Sequence, residues 1–422
     1  MGNSMGSTIV EKIIARSIGR DDVSSDERVW VDVDLAVIRD FGGPNVVMEY
    51  EENFGDKPVN DPSKIAITFD LHVPAKDEKV ANNQKICRDF AKKHGIENLF
   101  DVGSGIGQHV LLENGLVNTG DVIVGTDSHM NLLGCANSFS SGVGTTDIVA
   151  AWAHGKLWFK VPRSFKIEIE GELESPTSAK DVILHVLKNV GCEGALYKSV
   201  EFNGPVVKSM DLSGRITLVS MVTEMSGKAA FTPADEPVID FLSRRTQKDQ
   251  MPLLPDEDAD YEKEMTFDVS GLEPQIACPD SPDNVKPVSE VEGEPIDEVF
   301  IGSCTNGRFE DLREAARILK GNKVPKDLRL IILPSTAEVA RQSLDSDLYQ
   351  IFFDAGAVVP NPSCGLCTTG HPGVLASGEV LVSTSNRNFP GKIGRGGVIY
   401  LASPATAAAS AINGEITVPG GA

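Results

Sequence analysis

The segment "FIGSCTNGRFEDLREAARIL", residues 300–319, joins a short apolar run to a polar turn and then to an amphipathic stretch. An apolar run bounded by glycine and polar residues is typical of a buried strand, and the pattern after the turn is typical of a helix. The segment therefore predicts a strand–turn–helix unit with Cys304 in the turn.

The same alternation recurs along the chain and predicts an α/β fold. The segments that carry it are "SKIAITFD" (63–70, strand), "EKVANNQKICRDFAKKHG" (78–95, helix ending at Gly95), "DVIVGTDSH" (121–129, strand entering a polar loop), "TTDIVAAWAHGKLWF" (145–159, helix) and "FKIEIEGEL" (165–173, strand). Polar residues follow the predicted strands directly. Because open α/β sheets bind ligands at the carboxyl ends of their strands, we expect the functional site there.

The pattern also suggests where domains begin and end. A new strand–helix pattern starts after residue 163, and two stretches rich in Pro, Asp and Glu, 251–264 and 276–298, are typical of an exposed connection. We therefore predict three domains, 1–163, 164–290 and 291–422, with the cysteine-bearing turns in the third.

The chain has 61 acidic and 39 basic residues among 422, a formal net charge of −22. This excess disfavours a nucleic-acid groove, which needs clustered Lys and Arg, and is most simply a solvated acidic surface. No apolar run approaches the roughly 20 residues of a membrane span. The N-terminal segment "MGNSMGSTIVEKII" lacks a signal-peptide core. The sequence predicts a cytoplasmic protein that binds neither nucleic acid nor a membrane.

Seven cysteines are too few and too scattered for a disulfide scaffold, and most are expected to be small buried residues. Three lie in polar, glycine-rich turns: Cys304, and the pair Cys364 and Cys367 in "VVPNPSCGLCTTGHPGVLA" (358–376). We expect both turns at helix N-termini, where free N–H groups and the helix dipole lower the pKa of a thiol. Three thiolates can then converge from two loops.

The number of cysteines bears on the chemistry. Four would suit a closed zinc site or an electron-transfer cluster. Three on a [4Fe–4S] cluster leave one iron without a protein ligand, free to act as a Lewis acid. The spacing alone still allows a zinc site or a redox dithiol.

Longer motifs resemble a known family. They are "IGSCTNGR" (301–308), "SCGLCTTGH" (363–371), "STSNRNFPGKIG" (383–394), "GTDSHMNLLG" (125–134), "SGVGTTD" (141–147) and "LASPATAAASAI" (401–412). Together they resemble the aconitase superfamily, in particular large subunits of the 3-isopropylmalate dehydratase/homoaconitase type. The resemblance runs from "TIVEKIIARSIG" (8–19) to the last predicted helix.

The resemblance implies three α/β/α domains around a [4Fe–4S] cluster with one iron not bound by cysteine. It also implies a hydro-lyase that adds, removes or moves water on a 2-hydroxy acid of the malate type, such as isopropylmalate, homocitrate or a related alkylmalate. Cys304, Cys364 and Cys367 match the cluster ligands, and Asn386 matches an asparagine that hydrogen-bonds cluster sulfide. Arg387 matches an arginine at the substrate carboxylate.

Other matches concern proton transfer and substrate contact. Asp127, Ser128 and His129 match the family's Asp-Ser-His turn, in which the histidine binds the leaving or entering water and the serine contacts substrate. Glu224 matches the glutamate that pairs with this histidine. Ser220 stands where relatives have a second asparagine that contacts the cluster.

The chain departs from the family pattern at two histidines. Asp70 is in place, but Leu71 occupies the histidine position and the histidine is His72. Likewise Gln108 occupies a histidine position and His109 follows it. Because a one-residue shift in an extended segment turns a side chain to the opposite face, this paired displacement predicts a remodelled proton-relay side, in which His72 remains a catalytic candidate.

Further substitutions concern the substrate pocket. Arg39 and Gly42 stand where relatives have His or Gln and Thr, and Met130 replaces a Thr. Lys392 replaces a substrate-binding Arg, keeping the charge but losing the bidentate fork. These changes predict an intact cluster site with an altered pocket, in which Arg39 reads an added anionic or polar group of an unusual hydroxy acid. The alternative is an ordinary member of the family whose loop sequences have diverged without a change of substrate.

The family's fourth, swivelling domain, which supplies the serine base, has no counterpart in these motifs. We therefore expect a separate small subunit as partner. A non-catalytic metal-binding or RNA-binding relative is the alternative from another functional class, and the net charge of −22 disfavours it.

Overall fold

The computed structural model describes residues 6–420. Residues 1–5, which begin the N-terminal segment considered above, lie outside the described residues. Within the described part, no helix is long and apolar enough to cross a membrane.

The described residues form fourteen α-helices. In chain order α1 to α14 are Ile9–Ser17, Gly43–Phe54, Glu78–His94, Gly107–Glu113, Thr145–His154, Ala179–Val190, Pro205–Ser209, Leu212–Met221, Glu236–Ser243, Ser303–Asn306, Phe309–Leu319, Ala337–Asp345, Leu348–Ala355 and Pro404–Asn413.

Residues 6–420 also form seventeen strands. In chain order β1 to β17 are Arg28–Asp32, Leu35–Arg39, Ile65–Thr68, Leu99–Phe100, Val122–Gly125, Phe139–Gly142, Lys156–Lys160, Ser164–Glu170, Ser199–Asn203, Ala229–Phe231, Tyr261–Asp268, Gln275–Ala277, Val285–Pro287, Glu298–Ile301, Arg329–Ile332, Val380–Ser383 and Val398–Ala402.

A five-stranded parallel sheet, in the order β4-β3-β2-β5-β6, forms the N-terminal part. Its central strands are buried runs of Val, Ile and Ala, as expected for a parallel sheet covered on both faces. The order reverses at β2, because the chain places β3 on one side of it and β5 on the other. Arg39, Asp70 and Asp127 lie at the carboxyl ends of these three strands, where a ligand crevice is expected.

Two further sheets follow. A parallel sheet has the order β10-β9-β8-β11, and a mixed six-stranded sheet has the order β13-β12-β17-β16-β14-β15. In the latter, β15, β14, β16 and β17 are parallel, so the loops after β14 and β16 emerge at the same edge. A single buried cluster includes Val37, Ile167 and Phe300, one from each sheet, and so joins all three.

The acidic stretches are only partly the exposed connection that the sequence predicts: no residue of 251–264 is buried, but both stretches contribute strands. Tyr261–Asp268 pairs in parallel with Ser164–Glu170, and Gln275–Ala277 pairs with Val398–Ala402. Strands β12 and β13 thus belong to the third sheet although they precede residue 291. All three residues of β12 are buried, so the charged residues of this stretch lie outside that strand. The division into three domains stays a prediction.

Two helix predictions have different outcomes. The helix predicted at 78–95 is confirmed: Asp77 caps its first turn, and Gly95 ends it with a left-handed φ of 68°. The helix predicted at 145–159 ends earlier, at His154, because Gly155 adopts φ 69°. The residues after Gly155 form β7, which pairs antiparallel with β1.

Candidate active site

A cavity of about 250 Å³ opens where loops from the first and third sheets meet. Ten of the thirteen site residues that the sequence suggests line it, and only Asp70, His72 and Glu224 do not. The ten are Arg39, Asp127, Ser128, His129, Cys304, Cys364, Cys367, Asn386, Arg387 and Lys392.

Cys304 lies in the short helix α10, directly after β14. The turn requires Ser303 to adopt a left-handed φ of 77°, which aims the next residues at the cavity. The Nδ2 atom of Asn386 lies 3.5 Å from Cys304 Sγ, and the Ser220 hydroxyl lies 3.7 Å from it. Two neutral polar groups therefore face this sulfur.

Cys364 and Cys367 lie in a segment, 356–379, that contains no helix. The expectation of a helix N-terminus at this turn was wrong, because prolines at 360, 362 and 372 disfavour helical backbone. The loop is instead fixed by Asp70, whose carbonyl oxygen accepts a hydrogen bond from the Cys364 N–H over 2.8 Å. Gly365 adopts φ 57°, and an added Cβ would lie 2.9 Å from the Phe300 ring, so glycine is required.

The donor set fits a cluster better than a single ion. Among residues 6–420, no group of three or more His, Cys, Asp or Glu side chains is placed to hold one metal ion. The three thiols nevertheless line one cavity from two loops. They therefore surround a space for a group larger than a single metal ion. Thiolates are the ligands that iron–sulfur clusters use in proteins. Cys304, Cys364 and Cys367 would hold such a cluster.

His129 and Glu224 form a buried pair across 95 residues of sequence. Nε2 of His129 lies 2.8 Å from Glu224 Oε1, and Nδ1 lies 3.6 Å from Asp127 Oδ1. Burial opposes the charged imidazole, but the contacts with Asp127 and Glu224 outweigh it and raise the pKa of His129. The ring is thus held ready to carry a proton on the cavity wall.

Arg387 extends this network. Its Nε donates to the carboxylate of Glu224, 2.9 Å from each oxygen, and its Nη2 donates to Ser128 Oγ over 3.1 Å. Burial raises the pKa of Glu224, but His129 and Arg387 outweigh that effect and keep its pKa below the usual value. The Asp-Ser-His turn and Arg387 are therefore one hydrogen-bonded unit.

Arg39 joins the opposite wall. Its Nε donates to Asp70 Oδ1 over 2.9 Å, its Nη1 contacts Asp127 Oδ2, and its Nη2 donates to Cys364 Sγ over 3.1 Å. With three acceptors of this chain already on its guanidinium, Arg39 is not a free receptor for a substrate anion, contrary to the expectation from the sequence. Burial raises the pKa of Asp70 to about 6, although Arg39 opposes this.

The two displaced histidines lie outside the cavity lining. His72 packs edge-on against Phe41, with ring centres 6.0 Å apart, and occupies the space that Gly370 leaves beside it. Leu71 lines the cavity in its place. His109 is fully buried behind Cys304. The one-residue shifts thus turn both rings away from the cavity.

Sequence reasoning missed Lys180 as a contributor to the site. It is fully buried on α6, and its Nζ donates to the carbonyl oxygens of Thr384 and Ser385, at 2.9 and 2.8 Å. It therefore fixes the backbone directly before Asn386. A lysine among the apolar residues of "AKDVILHVL" was the available signal, since such positions seldom carry an unpaired charge.

The mouth of the cavity combines a cation with apolar surface. Lys392 has no carboxylate partner within residues 6–420, and its Nζ lies 5.4 Å from the centre of the Phe389 ring. Burial lowers the pKa of Lys392, although Cys367 opposes this. Leu71 and Phe41 provide the apolar part of the lining.

Known proteins resemble this chain along nearly its whole length. The aconitase family model (aconitate hydratase) matches residues 11–295 and 289–414. The "3-isopropylmalate dehydratase large subunit 1" of Methanopyrus kandleri is 49% identical over 416 residues, which are 98% of this chain and 99% of the relative. The "probable methanogen homoaconitase large subunit" of Methanothermobacter thermautotrophicus is 43% identical over 415 residues, 97% of each chain.

A solved structure extends the likeness to the fold. The crystal structure of Thermococcus kodakaraensis aconitase X (holo-form) superposes with a TM-score of 0.50 at 12% identity, covering 90% of this chain and 89% of that one. At this identity the likeness concerns the fold alone. The family match along nearly the whole chain and the full-length relatives show that this chain belongs to the aconitase family.

Proposed function

We propose that this chain is the large subunit of an iron–sulfur hydro-lyase that adds and removes water on a 2-hydroxy acid of the malate type bearing an alkyl substituent. One observation carries the proposal: three cysteine thiols and the buried His129–Glu224 pair line or border the same cavity. The relatives named above, a 3-isopropylmalate dehydratase and a homoaconitase, support the reaction class.

The proposed cofactor is a [4Fe–4S] cluster on Cys304, Cys364 and Cys367, with the fourth iron free of cysteine. Such an iron supplies Lewis acidity toward a hydroxyl and a carboxylate of the substrate. Asn386 and Ser220 flank Cys304 with neutral hydrogen-bonding groups, which suit the sulfur side of a cluster.

The chain's own residues handle the proton of the leaving hydroxyl. His129 presents its ring to the cavity. Nε2 lies 2.8 Å from Glu224 Oε1 and Nδ1 lies 3.6 Å from Asp127 Oδ1, so two carboxylates stabilise the protonated ring that delivers the proton. Glu224 is in turn held by Arg387. A general acid fixed by a carboxylate in this way contributes about 10²–10⁴-fold to rate.

Recognition of the acid requires cations and an apolar surface. Lys392 lines the cavity without a carboxylate partner in the described chain, so it is available to a substrate carboxylate. Arg387 has Nη1 free of the contacts that its other nitrogens make. Leu71 and Phe41 lie on the wall that would face a substituent, which favours an alkyl group over a further carboxylate.

The partner is a small subunit, because the relatives carry the words "large subunit" in their names. We propose that it supplies the swivelling domain and the serine base that removes the proton α to a carboxylate. Phe41 is 66% exposed and Phe389 43% exposed beside the cavity, so apolar surface is available there for a partner or substrate.

The test is an assay of the chain co-expressed with its small subunit and kept free of oxygen. Isopropylmalate, shorter and longer alkylmalates and homocitrate are compared by the absorbance of the unsaturated product. We expect the highest kcat/KM on an alkylmalate. Preference for homocitrate would overturn the alkyl assignment, and no turnover on any of these acids by iron-loaded protein would overturn the proposed function.

A further inference from the structure

Arg39 holds an unusual position for a buried cation. It ends β2 at the point where the strand order reverses, and its side chain is 14% exposed. Its guanidinium contacts two carboxylates, those of Asp70 and Asp127, together with the sulfur of Cys364. The two carboxylates lie just after the neighbouring strands β3 and β5, on opposite sides of β2.

Only an arginine can make this set of contacts. The guanidinium presents five N–H donors in a rigid planar fork, whereas a lysine ammonium is a compact charge on a flexible stem. Asp70 and Asp127 fix the plane of the fork from two sides. Nη2 lies 2.6 Å from Asp70 Oδ1 and 3.1 Å from Cys364 Sγ, so this nitrogen is shared between the carboxylate and the sulfur. The contact is therefore built by the surrounding strands.

The three proposed cluster cysteines differ in this respect. The sulfur of Cys304 faces the Asn386 amide and the Ser220 hydroxyl, which are neutral. Within residues 6–420, Cys364 Sγ is the sulfur of the three that receives a hydrogen bond from a cation. The cationic donor therefore distinguishes Cys364 from the other proposed cluster ligands.

We propose that Arg39 is a positioning residue that, through its hydrogen bond to Cys364, raises the reduction potential of the bound cluster instead of reading the substrate. This inference rests on the proposed function, since it requires the cluster. Hydrogen bonds and positive charge at cluster sulfurs stabilise the more negative, reduced form, so they raise its potential. The two aspartates hold the guanidinium in place for this contact.

The test is a potentiometric titration of the reconstituted full-length chain, followed by the electron paramagnetic resonance signal of the reduced cluster. Arg39→Gln removes the charge and the fork, and Arg39→Lys keeps the charge but not the geometry. We expect a lower midpoint potential in both variants, lowest in Arg39→Gln. Arg317→Gln, which removes a guanidinium paired with Glu314 on the surface of α11, should leave the potential unchanged.

The outcomes separate the two proposals. Wild-type potential in both Arg39 variants would overturn the inference, as would a rise in KM for substrate with no change in potential. Should Arg39→Gln fail to fold, the Arg39→Lys variant decides by the same criterion. Failure of the wild-type chain to assemble any iron–sulfur cluster would instead overturn the proposed function.

Discussion

His109 supports the turn that carries Cys304. Its Nε2 donates a hydrogen bond to the backbone carbonyl oxygen of Cys304 over 2.9 Å, and its Nδ1 lies 3.3 Å from Nη1 of Arg308. Both contacts are satisfied by a neutral ring, because Nε2 then carries the hydrogen and Nδ1 accepts from Arg308. A histidine that the sequence shifts out of the cavity thus has a structural contact directly behind a proposed cluster ligand.

Replacing this histidine should weaken retention of the cluster. His109→Ala leaves the Cys304 carbonyl oxygen without this partner and removes one contact of Arg308, which keeps its ion pair with Glu113. An unpartnered buried polar group costs about 1–3 kcal/mol. We expect a lower free energy of unfolding and faster loss of iron to a chelator. His185→Ala, which removes a ring of α6 that packs edge-on against Phe267 of β11, should retain iron like the wild type. Equal iron loss in both variants would contradict the assigned contact.

His129 should determine turnover without affecting assembly. His129→Gln keeps a hydrogen-bonding side chain beside Glu224 but cannot donate a proton to the leaving hydroxyl. We expect kcat to fall by about 10²–10⁴-fold with iron content unchanged. His154→Gln, at the exposed end of α5, is the matched control. A His129→Gln enzyme with wild-type kcat would remove this histidine from the mechanism.

Lys392 should act mainly on binding. Because it is the cavity cation without a carboxylate partner in the described chain, Lys392→Met removes a charged hydrogen bond to the acid, worth about 1.5–3 kcal/mol. We expect KM to rise by roughly 10- to 100-fold while kcat changes less. The exposed Lys326→Met serves as control. An unchanged KM would place the substrate carboxylate elsewhere.

Glu201 should make stability depend on pH. It is buried on β9 and accepts hydrogen bonds from the Ile9 N–H and the Tyr261 hydroxyl, at 2.8 and 2.6 Å. Burial raises its pKa to about 7 from 4.5, so the folded state binds its proton more tightly than the unfolded state does. The resulting stability is present below the unfolded pKa and is lost as the pH rises through the folded pKa.

The prediction is therefore that Glu201→Gln gains stability relative to wild type as the pH rises from about 4.5 to 7, with no further change above. Urea unfolding across this range measures the difference. Glu174→Gln, at an exposed position, should follow the wild type throughout. A Glu201→Gln curve parallel to the wild type would show that this carboxyl does not titrate as described.

The sequence predicted most of the residues that line the cavity and few of the residues that hold them in place. The motif around Asp127 and His129 correctly suggested a pairing with Glu224, because the motifs are long enough to report contacts made far along the chain. The partners of Arg39 were not foreseen, since a local pattern does not show which side chains two neighbouring strands bring together. The same limit applies to Lys180, whose Nζ contacts two backbone oxygens, a hydroxyl and a methionine sulfur, all from segments distant in sequence.

Polar composition was also misleading for the fold. Gln275–Ala277 and Val285–Pro287 lie in a stretch with the composition of a linker, yet they pair in the third sheet. Strands of three residues are too short for their alternation to stand out from the flanking charges. Local pattern therefore underestimates short strands near the edge of a sheet.

The central claim, that three cysteines hold an iron–sulfur cluster, is tested most directly by iron and acid-labile sulfide analysis of the chain purified without oxygen. The account predicts about four irons and four sulfides per chain, with both lost in Cys304→Ser. One zinc per chain and no sulfide, or iron content unaffected by Cys304→Ser, would contradict it.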